Sequence, residues 1–158
     1  MSEKVYGICE NKCLKEVYTK EDLNKLQEET VEIEGSGAKA ELTFKRCGNV
    51  VEVKVVITLY AGETLGSLTW KTFEMPEFAK LKNNGQTEVI ACDMFTNGVG
   101  VSEAEGILKL SSLCAFRIEV KNGSSYRFTG FRACGTKQEN DTKTQLKGYY
   151  ITDVPLEE

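Results

Sequence analysis

The sequence predicts a mainly β protein: an antiparallel β-sandwich or jelly-roll head, preceded by a short N-terminal segment of β-strand and helix. Three observations lead there. From about residue 39, apolar and polar residues alternate in short runs. The runs recur at intervals of about ten residues. Turns such as "TNG" and "KNG" separate them, and the chain has only 2 prolines.

Residues 1–38 differ from the rest and are expected to form an attachment segment, with the head over 39–158. "KVYGI" and "KEVYT" are short β-type runs on either side of a polar "ENK" turn. "TKEDLNKLQEE", residues 19–29, suggests a helix capped by Thr19, with Asp22 at the third helical position. Leu23 and Leu26 share one face of it. So short a helix is unstable alone in water and must dock on something or pair with copies of itself. "EGSGAKAE", residues 34–41, suggests a hinge or loop between the two parts.

The head opens with "AELTFK", where Ala40, Leu42 and Phe44 point one way and Glu41, Thr43 and Lys45 the other. In "VEVKVVITL", Val51, Val53, Val55, Ile57 and Leu59 face in while Glu52 and Lys54 face out. Beyond Val55 both faces are apolar or small. Val56 and Tyr60, opposite the inward set, are therefore candidates for an oligomer contact. Further strands are expected at "LTWKTFEM", "TEVIACDMF", "GILKLS", "CAFRIEV", "SYRFTGFRA" and "GYYITDV". The clearest hairpin is "CAFRIEVKNGSSYRFTGFRA": Phe116, Ile118, Val120 and Phe128 face in, and Arg117, Glu119 and Lys121 face out. Asn-Gly at its turn tolerates positive φ.

Composition bounds the function. The 158 residues suit one domain, and the 41% apolar and 28% charged shares are those of an ordinary globular protein. A net charge of −4 argues against non-specific nucleic-acid binding. "MSEKVYGICENKCLKE" lacks the apolar core of an export signal, and no apolar run approaches the ~20 residues of a membrane helix. Cytoplasmic synthesis without membrane insertion is expected, and with it reduced thiols at Cys9, Cys13, Cys47, Cys92, Cys114 and Cys134.

Motifs for chemistry are sparse. The chain has no histidine, which removes histidine-activated nucleophiles and histidine-containing metal sites. Cys9-x₃-Cys13 has no second pair at zinc-site spacing, so neither metal nor cofactor is expected. "GSG" at 35–37 and "GVG" at 98–100 lack the sequel of a phosphate loop. Asp93 interrupts the apolar "VIACDMF" and is read as solvent-facing or turn-capping rather than catalytic. Tyr126, Tyr149 and Tyr150 are the candidate glycan-binding side chains; Tyr149 and Tyr150, being adjacent, must face opposite ways. Trp70 is expected in the core, on the face opposite Phe73.

"FKRCGNVVEVKVVITL", "TWKTFEMPEF" and "KLSSLCAFRIEVKNGSSYRFTGF" together resemble the head domain at the tips of tail fibres and baseplate proteins of phages of Gram-positive bacteria. The matching positions are Gly48-Asn49-Val50-Val51, Trp70-Lys71-Thr72, Met75-Pro76 and Phe78, with Met75 where the family more often has Leu. The opening "KVYGICENKCLKEVYTKEDL" is similar to the starts of small phage and prophage structural proteins. The resemblance implies a virion protein, non-enzymatic and homotrimeric. It also implies other phage tail proteins as partners and a host-surface glycan as ligand. Two other classes fit the residues: a monomeric bacterial carbohydrate-binding sandwich, and a small hydrolase with a carboxylate pair on a β scaffold.

Overall fold

A computed structural model describes the backbone of residues 4–8, 14–19, 26–81, 87–101 and 108–155, and the side chains of 26–81, 87–92 and 113–155. Two strands, β1 (Lys4–Ile8) and β2 (Leu14–Thr19), pair as an antiparallel hairpin. Eight more build two four-stranded antiparallel sheets. These are β3 (Gln27–Glu34), β4 (Ala38–Cys47), β5 (Val50–Leu59), β6 (Leu65–Phe73), β7 (Glu88–Val101), β8 (Leu108–Lys121), β9 (Ser125–Cys134) and β10 (Thr142–Ile151). One sheet runs β10-β5-β4-β3 and the other β6-β9-β8-β7. The protein is a mainly β sandwich.

The core follows the alternation. Ala40, Leu42, Phe44, Val51, Val53, Val55, Ile57 and Leu59 from one sheet are fully buried. They meet Cys114, Phe116, Ile118, Val120 and Phe128 from the other, all buried. Phe44 stacks on Phe73 with ring centroids 6.0 Å apart, and Phe116 on Phe128 at 6.3 Å. Such offset pairs add about 0.5–1.5 kcal/mol each to the burial of their area.

The turns fit their residues. Gly48 and Asn49 join β4 to β5, with φ 58° at Gly48, the first central position of a II′ turn. Asn122 and Gly123 follow β8 with φ 53° and 70°, as Asn-Gly predicts, and Ser124 N bonds Lys121 O at 3.3 Å. At the β3–β6 corner the sheets meet almost backbone to backbone. Ser67 N donates to Ser36 O at 3.0 Å, and a Cβ on Gly66 would lie 2.3 Å from that of Ala38. Only glycine fits there.

Several expectations need correction. Thr19 ends β2 and Gln27–Glu29 opens β3, so neither end of the expected 19–29 helix is helical; residues 20–25 lie outside the described residues. "QEETVEIE" is a strand because Val31 and Ile33 alternate with polar residues and pair with Leu42 and Ala40. β3 is thus a full member of the sandwich. "EGSGA" is its hairpin turn to β4, not a hinge, and residues 27–38 belong with the head. "GILKLS" and "CAFRIEV" fuse into the single strand β8, and the expected turn at "TNG" lies inside β7. The "NNG" turn, Cys9, Cys13 and the Asp93 side chain lie outside the described residues.

Candidate functional site

The two outer faces of the sandwich differ in chemistry. On β10-β5-β4-β3 the register lines up charges across the strands: Tyr149–Glu52–Lys45–Glu28 in one row, Lys143–Thr58–Lys39–Glu34 in another. Lys147 pairs with Glu52 at 3.5 Å and Lys45 with Glu28 at 3.8 Å. That is a solvated face. Val56 stands within it, half-buried between Gln145 and Glu41. Tyr60 donates to Glu34 Oε2 at 2.5 Å, and this bond pushes the phenol up to about 12.

The outer face of β6-β9-β8-β7 carries Leu65, Trp70, Cys92 and Val89 exposed, with Leu113, Ala115, Phe131 and Ala133 half-buried. Two cross-strand rows span its middle. One is Thr72–Arg127–Glu119–Val89; in the other, Thr129 and Cys92 flank Arg117, with Trp70 beside Thr129.

A β-bulge puts Trp70 there. Leu68 pairs with Gly130 and Lys71 with Phe128, so Thr69 and Trp70 together face the single residue Thr129. Trp70 takes φ 54°, a left-handed value rare for a bulky residue, and its N–H donates to Thr129 Oγ1 at 3.2 Å. The bulge aims the indole outward, 47% exposed, where the sequence predicted core packing. The Arg127 guanidinium sits 4.4 Å and that of Arg117 5.0 Å from the ring centroid. Glu119 ties the two arginines: it is paired with Arg127 and lies 3.6 Å from Arg117. Alternation predicted Glu119 to face out. It does, yet these neighbours leave it only 6% exposed. The sequence signals missed here were Trp70 within "TWKTF" and the arginines at the centre of "FRI" and "YRF": outward positions, but filled by residues that favour interfaces.

The three candidate tyrosines come to two places: Tyr149 on the charged face, and Tyr126 and Tyr150 buried with their hydroxyls on residues 79–81. Tyr149 is exposed on the charged face, its hydroxyl donating to Glu52 at 3.1 Å. Tyr150 points inward, as alternation requires, and donates to the Ala79 carbonyl at 2.5 Å; burial raises its pKa. Tyr126 is also buried, its oxygen accepting from Leu81 N at 3.0 Å, and burial raises its pKa too. They form no shared platform. Tyr126 borders a cleft of about 450 Å³ with Glu74, Glu77, Lys80 and Ser125. Glu77 there is paired with Lys80, whose pKa is raised by that bond, so this carboxylate is already committed.

Among the described residues, no group of three or more Cys, Asp and Glu side chains could hold a metal ion. No described helix is long and apolar enough to cross a membrane. No family model, curated protein or solved structure matches this chain.

Proposed function

We propose that this chain is a non-enzymatic assembly and recognition module, a homotrimeric β head of the phage tail-fibre and baseplate type. The observation that carries the reading is the outer face of β6-β9-β8-β7. It sets exposed Leu65, Trp70 and Val89 beside half-buried Phe131 and Leu113, with two arginines stacked on the indole. Aromatic residues and arginine are enriched where proteins meet, and contiguous apolar surface marks interaction sites. The opposite face, a lattice of lysines and glutamates, has the character of a surface facing water. The contact face proposed is therefore the Trp70 face rather than the surroundings of Val56 and Tyr60. The resemblance to phage heads supplies the setting: a virion, other tail proteins as neighbours, and a glycan on the host surface as ligand.

Light scattering on the full chain tests this. Three copies at micromolar concentration are expected, with dissociation in Trp70→Ala. A monomeric wild type overturns the reading.

The half-exposed indole favours one competing function, a monomeric glycan-binding sandwich, because a flat aromatic face can stack on a sugar ring. A monomer whose retention on cell-wall glycans is lost in Trp70→Ala would establish that function instead.

A further inference from the structure

A ring of three copies has a requirement that a symmetric dimer lacks. Its contacts are heterologous: a patch on one subunit meets a different patch on the next. The Trp70 face therefore needs a complement elsewhere on the same surface. At its centre, among the described residues, Arg117 and Arg127 share the one carboxylate of Glu119, and Lys121 faces the same way further along β8. Glu119 is paired with Arg127, while Arg117 lies 3.6 Å from it with its side chain 41% exposed. Arg117 thus keeps donors facing outward beside the indole.

The complement is the edge strand β3. Its sequence "QEETVEIE" carries Glu28, Glu29, Glu32 and Glu34, all exposed, and no basic residue. Two of the four are occupied within the subunit: Glu28 by Lys45 at 3.8 Å and Glu34 by the Tyr60 hydroxyl at 2.5 Å. Glu32 is directly across from Glu41 on β4, and like charges so placed repel. A cation from outside relieves that repulsion. The outermost strand at the other end of the same sheet, β10, carries Lys143 and Lys147 instead and has the wrong sign.

Resting on the trimer reading above, we infer that the β3 edge of one copy docks against the Arg117–Trp70–Arg127 cluster of the next, presenting Glu29 from the side of the strand that carries Val31 and Glu32 from the other. Arginine suits this role because its planar fork can stack on an indole and still bind a carboxylate. An acidic edge also keeps β3 from pairing with other strands while the subunit is alone.

The test measures the trimer dissociation constant by sedimentation for four full-length proteins: wild type, Glu29→Lys/Glu32→Lys, Arg117→Gln, and the two combined. A Lys143→Glu variant on the opposite edge is the control, and melting curves check that each variant folds. The edge reversal is expected to raise the dissociation constant at least about tenfold and 0.5 M salt to weaken the wild type, as for a charged contact. In the Arg117→Gln background the edge reversal should cost clearly less, since directly touching residues are not additive. Full additivity, an unchanged edge variant, or an equal loss from Lys143→Glu overturns the docking while leaving a trimer standing. A monomeric wild type removes the trimer reading itself.

Discussion

Arg46 Nη1 donates to the carbonyl of Phe78 at 2.9 Å, tying the end of β4 to the short 3₁₀ turn Glu77–Ala79. The same guanidinium reaches Gly48 O through Nε at 2.8 Å and Val154 O through Nη2 at 2.5 Å. Arg46 is 2% exposed and occupies an inward position in line with Phe44. Burial lowers its pKa, and three backbone carbonyls hold the guanidinium.

We expect Arg46→Met to destabilise the fold by about 3–5 kcal/mol, because three part-buried carbonyls lose their donor at once. Arg46→Lys should recover only part of this, since an ammonium cannot span three separated acceptors as a planar fork does. Urea denaturation measures both. Equal stability of wild type and Arg46→Met would rule out the hub.

Trp70 combines an unfavourable backbone conformation with a favourable stack. Trp70→Ala keeps φ near 54° and loses the arginine contacts; Trp70→Gly loses the contacts but removes the strain. Trp70→Gly should therefore be more stable than Trp70→Ala by about 0.5–1 kcal/mol, the reverse of the usual order in a strand. The difference in denaturation midpoint at equal slope decides it.

Tyr60 gives a pH dependence with a definite sign. Its folded pKa is pushed up to about 12 from an ordinary 10.0, first by the hydrogen bond to Glu34 and then by desolvation and nearby carboxylates. The raised value favours the neutral phenol in the folded state. Its stabilisation is present in full below pH 10 and is lost as pH rises through the folded value. Titration of tyrosinate absorbance should show a component near pH 12 that is missing in Tyr60→Phe, while the late titration of the buried Tyr126 and Tyr150 remains. A variant titrating identically to wild type would remove the assignment.

The cysteines should separate by rate. Cys92 is exposed, Cys47 and Cys134 are intermediate and Cys114 is buried, none of them in a disulfide. Under native conditions Cys92 should react with a thiol reagent first and Cys114 last. Mass spectrometry of partially labelled protein reads the order, and early labelling of Cys114 would contradict the packing of β8.

The parts of the fold legible in the sequence were those where alternation and burial coincide. Val51 to Leu59 and Phe116 to Val120 face inward because period 2 leaves no other way to bury them. Where another force competes, the pattern misleads. Leu23 and Leu26 suggested a helix running to residue 29, but Gln27–Glu29 pair with Arg46, Lys45 and Phe44 of β4, and there pairing outweighs local propensity. Trp70 was misplaced because a bulge shifts the register by one residue, and nothing in "SLTWKTF" marks it in the way glycine would. The candidate site was harder to find than the core. Arg117, Glu119 and Arg127 look like ordinary outward charges until β8 and β9 are laid side by side. Of the tyrosines only the opposition of Tyr149 and Tyr150 was legible; which of them faces out, Tyr149, was not.

The strand order has a consequence for how the protein is made. Ile151 pairs with Val50, so β5 receives its second neighbour only after the whole of the other sheet has been synthesised. Until residues 142–151 exist, a growing chain carries the valine-rich β5 as a bare edge, with main-chain groups open to any passing strand. Partners so distant in the chain fold slowly, and the waiting intermediate is the species most exposed to aggregation. Nascent chains halted before residue 142 should therefore be cut by protease within β5 and protected once β10 is complete. The lysines of β10, Lys143 and Lys147, then sit on the finished edge as the charge that discourages a further strand from joining it.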